Sequence, residues 1–103
     1  MAYEKEIEAV RKRIDAIDEQ IMKLLSERVE TSKEAGKLKR RYGRPVLDQK
    51  RESEVYAKTR ERARRLKIDP EGSISVFERI VKMCRSSQED ANDAGRPQDQ
   101  TSK

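Results

Sequence analysis

The sequence predicts an all-α protein with three helices per chain, one of them very long, and two chains paired as an intertwined helical homodimer. Three observations lead there. Ile7, Val10, Ile14, Ile17, Ile21 and Leu24 recur three and four residues apart, the spacing of one helix face. No proline or glycine interrupts that pattern before Gly36. Beyond it, aspartate–proline–glycine punctuation marks two further helix starts, and no stretch shows the period-two alternation of a strand.

The first helix covers about residues 4 to 41. Leu25 widens its apolar stripe, and Lys39, Arg40 and Arg41 form a cationic last turn. Gly43 supplies a left-handed cap and Pro45 prevents continuation. At ~1.5 Å per residue such a helix exceeds 50 Å, whereas a compact domain of about 100 residues has a radius of gyration of only ~13 Å. Residues 46 to 88 cannot cover the whole stripe, so a second copy is expected to pair with it. Asp48 caps the second helix, with Glu52 in its first turn and Val55, Tyr56, Thr59, Ala63 and Leu66 as a thinner apolar face. Asp69-Pro70-Glu71 starts the third, whose face carries Ile74, Phe77, Ile80, Val81, Cys84 and then Gln88. The domain is expected to span residues 1–88. Residues 89–103, polar and without a large apolar side chain, read as a disordered tail.

Composition narrows the chemistry. Of the 103 residues 44% are charged and 33% apolar, so a lone chain would have a thin core. There is no histidine, hence neither the usual neutral-pH base nor the commonest metal ligand. The four glycines are scattered, which excludes a phosphate loop or dinucleotide fingerprint. Neither a metal nor a cofactor is expected. One cysteine, no signal peptide and no run near the ~18 apolar residues of a membrane span predict a cytoplasmic protein away from membranes. The formal charge of +5 admits nucleic acid or small anions as partners. Four scattered aromatics make a base-stacking platform a poor fit.

The long helix changes character at Arg28. Where the stripe should continue, it carries Arg28, then Thr31, Ser32 and Ala35, then Lys39. Arg28 and Lys39 lie eleven residues apart, nearly three turns and ~16 Å along one face. The small residues between them leave room for a ligand the size of a small dicarboxylate. Arg28 alone could instead be a polar residue that fixes pairing register. Arg11 is about 42 Å from Lys39 along the helix, so the two can meet only across an antiparallel dimer; by itself Arg11 reads as a solvated edge residue. Asp48, Arg51 and Glu52 crowd the start of the second helix, either as capping chemistry or as a grip on a ligand's hydroxyl or carboxylate. Gln88 ends a buried face and needs partners. Cys84 reads as a small buried residue, with no base beside it to make it a nucleophile.

Taken together, Arg11, Ile14, Ile17, Asp18 and Arg28, then Gly36, Lys37 and Lys39, then Arg44, Pro45, Val46, Asp48, Arg51 and Glu52, and finally Gln88 resemble the all-helical class of chorismate mutases. The resemblance covers about residues 4 to 88. It implies an interlocked homodimer with two identical sites that converts chorismate to prephenate, a Claisen rearrangement in phenylalanine and tyrosine biosynthesis. It also implies roles. Arg28 and the other chain's Arg11 would pair the two substrate carboxylates. Lys39 and Gln88 would donate to the ether oxygen of the breaking bond, and Glu52 with the backbone N–H of Asp48 would hold the ring hydroxyl. Arg51 would support the site from its edge. Cys84 stands where the family often has a serine or another polar residue, and is expected only to line the substrate pocket, since a thiol is a weak donor.

The implied chemistry suits the composition. A unimolecular pericyclic reaction needs no nucleophile, metal or cofactor. It needs a substrate folded into a near-attack geometry and donors where charge develops. Two alternatives stand beside it. Isochorismate pyruvate lyases resemble these mutases but usually lack the carboxylate pattern of Asp48 to Glu52. A basic helical dimer that binds nucleic acid or a partner helix would explain the charge but not the small-residue gap.

Overall fold

A computed structural model describes residues 1–94 as three helices, α1 (Ala2–Arg41), α2 (Gln49–Leu66) and α3 (Pro70–Ala94). Their ends follow the capping residues. Gly43, at φ 65°, closes α1: its N–H bonds the Arg40 carbonyl, and the Arg44 N–H bonds that of Lys39 at 2.7 Å. This crossed pair satisfies the last carbonyls and lets the chain turn. The Asp48 side chain accepts the Arg51 N–H at 3.0 Å and starts α2, a cap worth about 1 kcal/mol. Asp69 does the same for α3 through the Gly72 N–H, with Pro70 as first helical residue. The end of α2 has no glycine. Lys67 takes the left-handed conformation itself, at φ 60°.

Helix α3 packs against both others. Its contacts with α1 advance together, Arg28 to Cys84 and Ser32 to Gln88, so those helices run the same way there. Contacts with α2 run oppositely: Glu52 meets Arg85, and Arg60 meets Glu71. The helices approach through small side chains. Gly36, Thr59, Ala63, Val81 and Cys84 are buried, and Thr59 satisfies its hydroxyl by bonding back to the Val55 carbonyl at 2.7 Å. At Gly36 a Cβ would lie 3.0 Å from Gln88 Cβ and 3.1 Å from its Cα, so the absent side chain sets the distance between α1 and α3.

The N-terminal half of α1 projects beyond this packing. The dimensions are 62 × 36 × 15 Å and the radius of gyration is 18.6 Å, well above the ~13 Å of a compact domain this size. Val10, Ile14, Ile17, Ile21 and Leu24 are 41–64% exposed. Leu66, expected on the packed face of α2, is also exposed, beside an open apolar hollow formed with Ala63, Ile68, Val76 and Phe77. The polar tail expected from Glu89 is corrected in part: α3 continues through Ala94, since nothing in Glu89 to Ala94 breaks a helix. The remainder of that tail lies outside the described residues. Among the described residues no helix is long and apolar enough to cross a membrane.

Candidate active site

One cavity of about 310 Å³ opens where the three helices meet. Its size is at the small end of small-molecule pockets. Arg28, Thr31, Ser32, Ala35 and Lys39 of α1 form one wall. Val46, Asp48, Arg51, Glu52 and Val55 form the second, and Val81, Cys84, Arg85 and Gln88 of α3 form the third. Seven of the eight residues singled out in the sequence therefore share one cavity. The eighth, Arg11, sits on the projecting part of α1, seventeen residues before Arg28, about 25 Å along the helix.

Helix α3 holds the polar side chains of the other two walls. Cys84 and Gln88 lie one turn apart and face α1, while Arg85 faces α2. The buried Cys84 sulfur accepts a hydrogen bond from Arg28 Nη1 at 2.9 Å, so the thiol helps fix the guanidinium. The Gln88 amide bridges two α1 residues. Its Oε1 accepts from Lys39 Nζ at 2.8 Å, and its Nε2 donates to Ser32 Oγ at 2.8 Å. Ser32 in turn donates to the Cys84 carbonyl at 3.1 Å. Lys39 also donates to the Val46 carbonyl at 2.8 Å, which ties the α1–α2 loop to the site. An ammonium has three N–H donors, so Lys39 retains one for a ligand, and Gln88 Nε2 retains one of its two.

The charges are unevenly matched. Glu52 pairs with Arg85 at 2.6 Å in a half-buried link between α2 and α3. Arg51 leans away toward Glu54 at 3.5 Å, an exposed pair of little energetic weight. Arg28 and Lys39 are half-buried, and among the described residues neither has a carboxylate partner; their acceptors are a thiol, a carbonyl and an amide. A partly desolvated cation without a counter-charge is costly, and two beside one cavity make a site for an anion. One turn beyond Glu52, the Tyr56 hydroxyl is held above its usual pKa of 10.0, first by burial and then by the charges of Glu52 and Glu78. Among the described residues no cluster of histidine, cysteine, aspartate or glutamate could hold a metal ion.

Two features were not legible beforehand. Arg85 is one of many cations in a charge-rich sequence, and only its place three residues before Gln88 and the need of Glu52 for a counter-charge hint at it. Ser32 was expected only to leave space, and it is also the anchor that orients the Gln88 amide.

The chain is similar to proteins of one known family. Residues 10–89 match the family described as chorismate mutase type II. A chorismate mutase of Methanocaldococcus jannaschii is 30% identical over 79 residues, covering 77% of this chain and 80% of that protein. The T-protein of Enterobacter agglomerans is 33% identical over 85 residues, which is 82% of this chain but only 23% of that protein. A conserved hypothetical protein from Pyrococcus furiosus superposes with a TM-score of 0.64 at 34% identity, covering 80% of this chain and 93% of that one.

Proposed function

The chain belongs to the chorismate mutase type II family, and on that premise we propose that its cavity converts chorismate to prephenate. One observation carries the assignment of the site: Arg28 and Lys39, half-buried and without carboxylate partners among the described residues, face a cavity of small-molecule size. Chorismate is a dianion, and it supplies the missing charge.

Arg28, steadied by Cys84, pairs with one substrate carboxylate. Lys39 and Gln88, each with a proton to spare, donate to the ether oxygen as negative charge develops there. Their partners fix them beforehand, so little reorganisation accompanies the reaction. Glu52 and the backbone N–H of Asp48 hold the ring hydroxyl, and Arg51 supports the rim. Because the rearrangement moves electrons within one molecule, the protein supplies conformational restriction and charge stabilisation, and neither a cofactor nor a metal takes part.

The second carboxylate is matched by Arg11 of a second copy. The exposed row from Val10 to Leu24 supports such pairing, since a contiguous apolar stripe is unfavourable in water. In an antiparallel homodimer the projecting half of one α1 lies beside the cavity of the other chain. The single cysteine and the biosynthetic role favour the cytoplasm, with neither nucleic acid nor membrane as a partner.

The test is a chorismate assay on purified protein with the product identified. Prephenate is expected. Release of pyruvate from isochorismate, with chorismate untouched, would make the protein a lyase. DNA or RNA binding that falls steeply with salt, with no turnover, would make it a basic binding dimer.

A further inference from the structure

We propose that Arg85 is a positioning residue that aims Glu52 at the substrate hydroxyl and balances its charge. The inference rests on the function proposed above. Arg85 Nη1 donates to Glu52 Oε2 at 2.6 Å, and the two side chains are 31% and 22% exposed. Both line the cavity. A glutamate in the first turn of a helix has three side-chain torsions and two equivalent oxygens. A guanidinium on the neighbouring helix that takes Oε2 fixes the plane of the carboxylate and leaves Oε1 to accept from a ligand.

Charge gives a second reason. A carboxylate in the wall of a cavity that receives a dianion repels it at short range, and the repulsion is strong where water is partly excluded. Arg85 cancels that charge locally and leaves the hydrogen-bond acceptor in place. Arg51, the adjacent cation, does not serve this purpose, since it turns outward to Glu54. The link also crosses from α2 to α3, so it fixes the second wall against the helix that holds Cys84 and Gln88.

Steady-state chorismate turnover in a double-mutant cycle of Arg85→Ala and Glu52→Ala tests the assignment. The contact to the ring hydroxyl is made in both ground and transition states, so Arg85→Ala should raise KM more than it lowers kcat. The expected loss in kcat/KM is roughly ten- to a hundredfold, the worth of one hydrogen bond to a charged group. In the Glu52→Ala background the same change should cost less than about twofold, because the partner is already gone. Arg85→Lys should restore part of the loss. If Arg85→Ala does not fold, as judged by a circular-dichroism melt, Arg85→Gln takes its place in the cycle. Equal losses in both backgrounds mean that Arg85 acts on the substrate directly and overturn the proposal, as does wild-type kcat/KM in the variant. Wild-type turnover with such additive losses removes this assignment alone. Absence of wild-type turnover removes the functional proposal and this one together.

Discussion

Lys39 Nζ and Gln88 Oε1 lie 2.8 Å apart, joining the last turn of α1 to the third helix at the cavity wall. With Val46 on its other side, Lys39 is held by two neutral acceptors and keeps one N–H for a ligand. If that N–H meets the ether oxygen, Lys39→Ala should reduce kcat by about 10² or more, the usual loss for one preorganised donor. Single-turnover kinetics, with size-exclusion chromatography to verify that the assembly is unchanged, would measure it. Near-normal turnover would remove Lys39 from the chemistry.

Arg11 and Arg28 cannot reach one cavity within a chain, yet the proposal gives each a substrate carboxylate. Arg11→Ala and Arg28→Ala proteins should therefore be severely impaired singly. After mixing and subunit exchange, half of the dimers would be mixed and each would carry one intact site, so activity should recover to about a quarter of wild type. No recovery under conditions where exchange is verified by mass would argue against a site shared between chains.

Gly36 is a point of close approach between α1 and α3. Gly36→Ala gains up to about 1 kcal/mol of helix propensity but forces a Cβ against the Gln88 backbone, an overpacking of ~1–3 kcal/mol. A small net destabilisation is expected, a few degrees in Tm. Turnover should suffer more, roughly tenfold or beyond, because Gln88 is displaced from Lys39. Thermal melts and kcat on the same preparation compare the two; a lowered Tm with unchanged kcat would contradict the geometric role.

Tyr56 gives a pH signature. Burial and the Glu52 and Glu78 charges disfavour its phenolate, so the folded protein holds this proton more tightly than the unfolded chain. The resulting stability is intact below the ordinary tyrosine pKa of about 10 and declines as pH rises through the higher folded value. Tyr56→Phe should flatten that alkaline decline. The difference in tyrosinate absorbance between wild type and variant should have its midpoint above 10; a midpoint at or below 10 would refute the assignment.

Much of the architecture was written locally. The row from Ile7 to Leu24, the Gly43 turn and the aspartates at 48 and 69 fix three helices, because capping and periodicity act over a few residues. The end of α2 was hidden, since Lys67 adopts a conformation that its side chain does not advertise. So was the continuation of α3 past Gln88, where polarity suggested a tail but no residue breaks the helix.

The site divides the same way. By itself the sequence determined that α1 exchanges packing for cations at Arg28, with small residues before Lys39; that Asp48, Glu52 and Gln88 join them was implied only by the family resemblance. Only the tertiary structure decided how they are used. Cys84 steadies Arg28, Ser32 orients Gln88, and Arg85 takes Glu52. Those pairings join residues 33 to 56 positions apart in the chain. Their partners are chosen by how closely helices approach, and between α1 and α3 Gly36 is what lets them come within reach.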